Sequence, residues 1–288
     1  MSLRARPVSE ADTSELVALQ VKEDTHWFGS SEHDESDLRE SLARAAPLGE
    51  RSRLLVDSGQ LVAAAWWWKP DETTLVVDPE SDVEAVLDEL LPWLARSGAR
   101  QVEALQQDQQ LRDALARHHW EHFHSQFELM RDASPLSSPQ WPDGVIATDL
   151  DNNEEAAYRV IYDEAEWAAV PGHSWRDFSE WRSLFIASEK PNQQVLAWEN
   201  KRLVGVALGK TFSDGVGWVS QLAVARDQQG RGLGTALLRE AFGRRLAEGA
   251  IKLGLGVSAA NRDALRLYRS IGFDIDREWM THRPTANS

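Results

Sequence analysis

The period of the hydrophobic pattern changes within one short stretch of the chain, residues 216–246. Apolar and β-forming residues stand close together in residues 216–224, as in a buried strand. A glycine-rich turn follows, and beyond it the apolar residues recur at helical spacing. The pattern therefore predicts a strand, a glycine turn and an amphipathic helix in direct succession. The apolar face of that helix is expected to carry Leu237, Leu238, Ala241, Phe242 and Leu246, and its polar face Arg239, Arg244 and Arg245.

Glycines at the start of a helix let backbone N–H groups approach an anion closely, and the helix dipole favours negative charge there. The turn with Gly230, Gly232 and Gly234 therefore predicts a phosphate-binding loop. It is not a Walker loop, because no Lys follows the glycines. It is not a dinucleotide fingerprint either, since the glycine spacing differs and no acidic residue lies near Gly254 and Gly256. A flexible surface turn is the plain alternative.

The rest of the chain shows the same order of predicted elements twice, before and after Gly144. The first copy is predicted to have strands at 3–8, 53–56, 61–69, 73–77, 101–105 and 122–130, helices at 12–21, 34–46, 82–97 and 108–117, and a loop at 25–31. The second copy is predicted to have strands at 145–150, 195–198, 203–210, 216–224, 252–257 and 273–280, and helices at 152–168, 175–187 and 261–270 besides the glycine-led helix. A repeat of about 140 residues indicates duplication of a whole domain. Residues 134–143 have linker composition, so the domains are predicted at 1–133 and 144–288.

Two motifs in the second copy resemble those of one enzyme superfamily. Gln229, Gly232 and Gly234 fit a Gln/Arg-x-x-Gly-x-Gly signature, and residues 261–273 resemble a later Asn…Ala…Tyr…Gly-Phe motif. At these positions the chain is similar to the GNAT N-acetyltransferase superfamily, and its repeat resembles the tandem, two-domain type. The resemblance implies an α+β fold of two tandem GNAT-like domains, each a mixed, mostly antiparallel sheet flanked by helices. It also implies that the second domain is catalytic and the first degenerate.

The resemblance implies acetyl-CoA as the acyl donor. In the superfamily, the backbone of the central strand pairs with the pantetheine arm and the glycine loop holds the pyrophosphate. Asn261 is predicted to cap a helix and, by resemblance, to touch the arm of the cofactor. The cofactor-binding residues implied in this way are Leu222, Ala223, Val224, Gln229, Gly230, Arg231, Gly232, Leu233, Gly234, Thr235 and Asn261.

For catalysis, the resemblance places a general acid at Tyr268. A phenol with a reference pKa near 10 can protonate a departing thiolate; a packed aromatic residue is the alternative. The base positions of the superfamily correspond to Ser220 and Trp218, which strand alternation places on one face with the other even-numbered residues of 216–224. Neither side chain is a useful base. Ser220 can bind a water that relays a proton, and Trp218 can line an acceptor pocket.

Residues 163–177 form the region where the superfamily builds its acceptor site. His173, with a reference pKa near neutrality, is a candidate base or an exposed loop residue. Glu164 and Glu166 are candidate anchors for a cationic acceptor or solvated helix charges. Trp175 is a candidate wall of the pocket or a core residue. The sequence does not decide among these alternatives.

The formal net charge of −15 lies almost wholly in the first copy. Residues 1–143 contain 27 acidic and 13 basic residues, against 19 and 18 in the remainder. Such a field disfavours nucleic acid, whose binding needs clustered Lys and Arg. Where the second copy has its glycine turn, the first has Asp78, Glu80, Asp82 and Glu84. These carboxylates would repel pyrophosphate, so we predict that the first domain does not bind acetyl-CoA.

The sequence contains no cysteine, which excludes disulfides, thiolate catalysis and cysteine–zinc sites and fits a cytoplasmic location. No apolar run has transmembrane length, and the basic N-terminus lacks the apolar core of a signal peptide. No metal is predicted, because the histidines at 118–124 are expected to lie at a strand end. The run Trp66-Trp67-Trp68 is expected to be buried, with Trp67 on the opposite strand face from its neighbours. A hydrophobic contact with the second domain and an aromatic wall for substrate are the alternatives.

We therefore expect an acyl-CoA-dependent N-acyltransferase that moves an acetyl group from acetyl-CoA to a primary amine of a small molecule. An amino-sugar thiol, an antibiotic and a polyamine all stay open as acceptors, and a homodimer is left open. Neither nucleic acid nor a membrane is expected as a partner. A non-catalytic acyl-CoA-binding regulator or pseudoenzyme is the alternative, because the central strand carries no useful base.

Overall fold

The structure, a computed structural model, describes residues 3–31, 33–187 and 189–285. Its described residues fall into two compact units, one from Met1–Phe123 with Trp279–Ser288 and the other from His124–Glu278. The strands Trp120–Asp132 and Asp274–Pro284 each contain residues of both units. The domains predicted from the sequence, 1–133 and 144–288 with a linker at 134–143, mark where the two copies of the repeat begin and end. These boundaries stay a prediction.

The first unit is built around an antiparallel sheet. In chain order its elements are β1 (Arg4–Arg6), α1 (Thr13–Phe28), α2 (Glu35–Arg44), α3 (Leu48–Arg51), β2 (Ser52–Asp57), β3 (Gln60–Lys69), β4 (Glu72–Val77), α4 (Val83–Ser97), β5 (Val102–Leu105) and α5 (Gln109–Arg117). Strands β1 to β4 lie side by side in that order, each antiparallel to the next. Strand β5 pairs in antiparallel fashion with residues 279–282.

Alternating residues of this sheet enter two apolar clusters, one on each face. Trp66 and Trp68 pack in the cluster that contains Leu16 of α1. Trp67 packs against the cluster that contains Leu90 of α4. The predicted alternation of the three tryptophans is therefore confirmed.

Helix ends in this unit follow the capping residues rather than the apolar pattern. Asp82 caps α4 by accepting a backbone N–H bond, and Gly98 ends the helix with a φ of 105°. Helix α1 runs to Phe28, and Gly29 ends it with a φ of 78°. The loop predicted at 25–31 is therefore wrong for residues 25–28, because the helix continues to the first residue that readily adopts the left-handed conformation.

The second unit contains a mixed sheet with helices on both faces. Its elements are β6 (Trp120–Asp132, in part), β7 (Val145–Thr148), α6 (Glu154–Arg159), α7 (Phe178–Phe185), β8 (Val195–Glu199), β9 (Arg202–Thr211), β10 (Val216–Val224), α8 (Leu233–Ala247), β11 (Lys252–Ser258), α9 (Arg262–Ser270) and β12 (Asp274–Pro284, in part). The strand order is β6-β11-β10-β9-β8-β7, with β10 parallel to β11 and the other pairs antiparallel. Helices α8 and α9 share an apolar cluster with one face, and α6 and α7 share another with the opposite face. The predicted mixed, mostly antiparallel sheet with flanking helices is confirmed.

Helices α6 and α7 are shorter than the predicted segments 152–168 and 175–187. Helix α6 passes into a π-helical turn, and the helical region is finished before Glu166, whose φ is 52°. Asp177 accepts a backbone N–H bond at the start of α7 and so sets its first turn. Both predictions are wrong at these ends. Between the π-helical turn and α7 the chain forms a short 3-10 turn, Trp167–Ala169, and is otherwise irregular.

Candidate active site

The glycine turn leads directly into α8, with Gly232 as the N-cap residue. Gly230 and Gly232 have φ values of 76° and 87°, in the left-handed region that favours glycine. A Cβ built on either residue meets no described atom within 4 Å, so the outside of the turn is open. The first N–H groups of α8 have no intrahelical partner, and the helix begins with the uncharged sequence Leu-Gly-Thr-Ala. The turn thus presents backbone donors and the positive end of a helix to the outside.

Strands β10 and β11 separate before either strand ends. Their parallel pairing stops at Val219 and Leu255, whereas β10 continues to Val224 and β11 to Ser258. Each strand keeps its other neighbour: β10 stays paired with β9, and β11 stays paired with β6. A gap therefore opens within the sheet, and the segment that leads to the glycine turn forms one of its edges.

The edge of β10 along this gap carries backbone groups that β9 does not use. Ala225 donates its N–H to the carbonyl of Val204 in β9 at 3.0 Å. In an antiparallel ladder, neighbouring residues direct their N–H and C=O groups to opposite sides. Val224, and by the same alternation Leu222, therefore direct theirs into the gap. The Gln229 side chain lies at the same edge, where its Nε2 donates to Val224 O at 3.1 Å.

A β-bulge at Ser220 shifts the register of β10 against β9. Val219 packs in the apolar cluster on the α8 face, whereas Ala223 packs in the cluster on the α6–α7 face. Leu222 and Val224 pack against the α8 cluster. The predicted common face for the even-numbered residues of 216–224 is therefore wrong, because the extra residue in the bulge reverses the alternation beyond it.

Trp218 lies on the α6–α7 face of the sheet. Its ring covers Gly254, where a built Cβ would be 2.6 Å from Trp218 Cε3. Leu253 and Leu255, on either side of Gly254, pack in the α8 cluster, so the ring is on the opposite face. The ring also makes an edge contact with Phe212, with 6.3 Å between the centroids. Gly254 thus provides the space for Trp218, and a contact of Trp218 with an acceptor stays a prediction.

Helix α9 packs against the start of α8. Asn261 caps α9 by accepting the Ala264 N–H at 3.1 Å, as predicted from its position. Leu267 Cδ1 would lie 3.1 Å from a Cβ built on Gly234, so the two helices approach closely there. Tyr268, the next residue, is buried, and burial raises the pKa of its phenol. The phenol is therefore protonated at neutral pH, as a general acid must be.

The predicted acceptor loop holds His173 and Trp175 in different surroundings. His173 stacks on Trp167 with 4.0 Å between ring centroids, and its Nδ1 lies 3.2 Å from Trp167 O. Burial lowers the pKa of His173 to about 4, so its imidazole is neutral at pH 7. Trp175 is 61% exposed, which excludes the core alternative for this residue.

Glu164 and Glu166 are both engaged in ion pairs. Glu164 Oε2 lies 2.6 Å from Arg202 Nη2, and Glu166 Oε2 lies 2.5 Å from Arg226 Nη2. These side chains are partly exposed, and exposed ion pairs contribute little free energy. A cationic acceptor would therefore have to compete with an arginine at either carboxylate.

Arg231, which the sequence assigned to the cofactor, is paired with Glu199. Its Nη2 lies 2.7 Å from Glu199 Oε1, and this contact holds the pKa of the Glu199 carboxyl below its usual range. The Arg231 side chain is partly exposed, so it can turn to another anion at small cost. Its contact with pyrophosphate stays a prediction.

Sequence reasoning missed buried polar residues beneath the bulge. Arg245 was predicted on the polar face of α8 but is fully buried, so that prediction is wrong. Helical spacing places it one turn after Ala241 and on the apolar stripe, which is the signal that identifies it. Gln194 is also fully buried, and its side-chain amide bonds both backbone groups of Gly209 at 2.8 and 2.9 Å.

Residues 3–31, 33–187 and 189–285 contain neither a metal-binding cluster nor a membrane-spanning helix. Within these ranges, no three His, Asp or Glu residues are grouped as a metal ion would require. No helix in the same ranges combines the length and the apolar character needed to span a bilayer. In the histidine-rich segment, His118 Nε2 lies 2.9 Å from Asp88 Oδ1.

Residues 150–273 match the family model described as the acetyltransferase (GNAT) family. A mycothiol acetyltransferase of Thermomonospora curvata is 30% identical over 149 residues, which are 49% of this chain and 48% of that protein. A mycothiol acetyltransferase of Thermobispora bispora is 29% identical over 155 residues, 49% of this chain and 50% of that protein. The matched region thus spans about half the length of these curated relatives.

Solved structures resemble the chain over almost its whole length. A GCN5-related N-acetyltransferase from Sphaerobacter thermophilus has a TM-score of 0.81 at 23% identity, covering 98% of this chain and 95% of that one. A tandem GNAT protein from the clavulanic acid biosynthesis pathway has a TM-score of 0.74 at 14% identity, covering 98% of both chains. At these identities the likeness establishes the fold. Residues 150–273 therefore resemble a GNAT acetyltransferase domain, and the chain as a whole shares the fold of the tandem GNAT protein.

Proposed function

We propose that this protein transfers an acetyl group from acetyl-CoA to a primary amine of a small molecule. The observation that carries the proposal is the gap between β10 and β11, which adjoins the open N-terminus of α8. One edge of the gap carries the N–H groups of Leu222 and Val224, which point away from β9, and the glycine turn offers donors for an anion. This combination suits an extended amide-containing arm that ends in a pyrophosphate.

The residues present fit acetyl-CoA. The backbone of Leu222 to Val224 would hold the pantetheine arm, residues 229–235 would hold the pyrophosphate, and Asn261 would contact the arm. When bound, acetyl-CoA supplies a thioester whose carbonyl carbon a neutral amine attacks, with formation of a C–N bond and loss of the C–S bond. The N–H groups that β10 directs into the gap would stabilise the negative charge that develops on the carbonyl oxygen.

Tyr268 is the proposed general acid. Its raised pKa keeps the phenol protonated at neutral pH, so it can give its proton to the departing sulfur. The amine must also lose a proton, and two groups remain candidates for accepting it. His173 is neutral at pH 7 and can accept a proton directly, although a pKa of about 4 makes it a weak base. Ser220, at the bulge, would act through a bound water.

The acceptor is proposed only as a class, a small molecule with a primary amine. The curated relatives are named mycothiol acetyltransferases, which keeps an amino-sugar thiol among the candidates. The central-strand glutamate that this comparison leads one to expect corresponds to Trp218, whose indole cannot act as a base. An antibiotic or a polyamine is a comparable candidate, favoured by the acidic first copy. A cytoplasmic location stays a prediction.

The test combines acetyl-CoA binding by calorimetry with release of free CoA in the presence of a panel of primary amines. The released thiol can be titrated with an aromatic disulfide without background from the protein, which has no cysteine. For acceptors that themselves carry a thiol, the acetylated product is measured by mass spectrometry instead. Binding together with amine-dependent thiol release would support the proposal. Binding without release from any amine would favour the acyl-CoA-binding regulator, and absence of binding would reject both functions.

A further inference from the structure

The bulge at Ser220 is built around one main-chain oxygen, that of Trp218. A Cβ built on Gly209, in the facing strand β9, would lie 1.9 Å from this oxygen and 2.7 Å from Arg245 Nη2. The carbonyl therefore occupies the space that any other side chain at 209 would need, on the face covered by α8. From α8, Arg245 Nε donates to the same oxygen at 3.1 Å.

Arg245 is a buried cation held by main-chain carbonyl groups. Its Nη1 donates to Ala241 O at 2.8 Å and to Gln193 O at 3.3 Å. Burial lowers the pKa of the Arg245 guanidinium to about 10, which still leaves it charged at pH 7. Burying a charge costs free energy even when it is hydrogen-bonded, so a residue needed only to fill this space would be apolar.

Gly209 is fixed from its other side by Gln194. The Gln194 side chain donates from Nε2 to Gly209 O at 2.9 Å and accepts the Gly209 N–H at Oε1, at 2.8 Å. Gln194 lies just before β8, which begins at Val195. Its side-chain amide therefore takes the place of β8 backbone groups and extends the β8–β9 ladder to Gly209. The strand that faces the bulge is thus anchored, while Arg245 holds the displaced carbonyl.

We propose that Arg245, Gly209 and Gln194 are positioning residues that set the bulge and thereby select which backbone N–H groups of β10 face the acyl donor. The inference rests on the proposed function. Along a strand, successive residues direct their N–H and C=O groups to opposite sides. If the extra residue of the bulge were lost from the register, each later residue of β10 would direct these groups to the other side. Ala223 would then direct its N–H into the gap, while Leu222 and Val224 would turn theirs toward β9.

The first experiment compares Arg245→Met and Arg245→Lys with the matched control Arg244→Met. Arg244 lies on the same helix and donates to Asp149 and to the carbonyls of Asn192 and Gln194, but not to Trp218. Misplacing the reacting groups by about 1 Å can cost about 100-fold in rate, so we expect Arg245→Met to lower kcat by about 10- to 100-fold. The glycine turn is untouched, so the Kd for acetyl-CoA should change by less than about fivefold. Arg245→Lys keeps one donor and should recover part of the loss, and Arg244→Met should resemble the wild type.

Two kinetic results would overturn the proposal. One is a wild-type kcat in Arg245→Met, measured below its melting temperature. The other is an equal loss in the Arg244→Met control. Either result would make Arg245 a stabilising residue only.

A structural readout separates this inference from the proposed function. Gly209→Ala introduces a methyl group at the position of the Trp218 oxygen, so the register shift between Val219 and Gln221 should disappear or move. Amide hydrogen exchange of residues 216–224 and a crystal structure of the variant would report this without any substrate. An unchanged bulge in both Gly209→Ala and Arg245→Met would refute the inference even if the enzyme acetylates amines. A lost bulge would support the positioning of the strand even if acetyl-CoA does not bind.

Discussion

The ends of β4 and β10, one in each unit, share a backbone geometry but differ in what occupies it. Asp78 and Ala225, which follow these strands, donate their N–H groups to the neighbouring strand at 2.9 and 3.0 Å. By ladder alternation, Val77 and Val224 therefore direct their own N–H groups to the opposite side. In the first unit that donor is already used, because Glu23 Oε1 accepts the Val77 N–H at 3.0 Å.

The helices that follow these strands differ in the same way. Lys22 Nζ lies 2.8 Å from Asp78 and 2.7 Å from Glu80, and Asp82 accepts the Ala85 N–H at the start of α4. In the second unit, Gly232 stands at the start of α8 and can offer no side-chain oxygen. The first unit thus satisfies the Val77 and Ala85 N–H groups with its own side chains. Under the proposed function, filling such donors removes a cofactor site while the fold is kept.

The largest expected effect comes from Gly232→Glu, which gives the second unit the acidic helix start of the first. A side chain at a φ of 87° is strained, and a carboxylate there would repel a pyrophosphate. We expect the affinity for acetyl-CoA, measured by calorimetry, to fall by at least about 100-fold, or ~3 kcal/mol. Gly243→Glu, on the exposed side of the same helix, adds the same charge and should bind as the wild type does. Equal affinity in the two variants would contradict the proposed pyrophosphate site.

The next effect is expected from Tyr268→Phe, which tests the chemistry proposed for the second unit. Removing a general acid typically costs about 100-fold or more in kcat. The Kd for acetyl-CoA should stay within a factor of about three, since the phenol acts on the leaving sulfur and not on the pyrophosphate. Steady-state kinetics and calorimetry measure the two quantities separately. An unchanged kcat would leave Tyr268 as a packed aromatic residue.

A third prediction concerns Glu23, the side chain that accepts the Val77 N–H in the first unit. Burial raises the pKa of its carboxyl to about 8, whereas the unfolded chain titrates near its ordinary value of 4.5. Between these two pH values the folded protein keeps a proton that the unfolded chain has lost, so stability falls as the pH rises. Glu23→Gln removes this titration and should be more stable relative to the wild type at pH 6.5 than at pH 5, by about 2 kcal/mol. Glu15→Gln, an exposed change on the same helix, should leave the pH dependence of chemical denaturation unaltered; parallel pH profiles for Glu23→Gln and wild type would disprove the assignment.

The smallest effect is expected from Asp82→Ala, which removes the side-chain cap of α4. Losing an N-cap hydrogen bond costs about 1 kcal/mol of stability. Acetyl-CoA affinity should not change, because we assign no cofactor to the first unit. Thermal unfolding and calorimetry on the same sample test both statements. A measurable loss of acetyl-CoA affinity would show that the first unit takes part in binding.

Features that depend on one short segment could be predicted from the sequence. Glycine preference for positive φ identified the turn at Gly230 and Gly232, and capping chemistry identified Asn261 as a helix start. The period of two along a strand correctly separated Trp67 from its neighbours. In each case the physical cause lies within a few residues of the feature.

Features that depend on distant contacts could not be predicted in this way. The bulge at Ser220 requires Gly209 opposite it and Arg245 behind it, and nothing within the strand itself marks the irregularity. The gap between β10 and β11 likewise results from how two separate strands diverge. The predicted helix ends were wrong near Gly29 and Glu166. At each place a single residue in the left-handed conformation, and not the apolar pattern, determines where the helix stops. The roles of Tyr268, His173 and Ser220 stay predictions, because chemistry depends on a substrate as well as on the protein.

The position of strand β6 determines where the chain can be divided without damage to a sheet. Its residues 126–132 precede the linker in sequence yet pair with β11 of the second unit, and residues 279–282 of β12 return to pair with β5 of the first. A chain cut at residues 134–143 would separate β11 from residues 126–132 and expose a sheet edge that is prone to aggregation. We therefore expect that neither of the two predicted copies would fold alone if the chain were divided within the predicted linker.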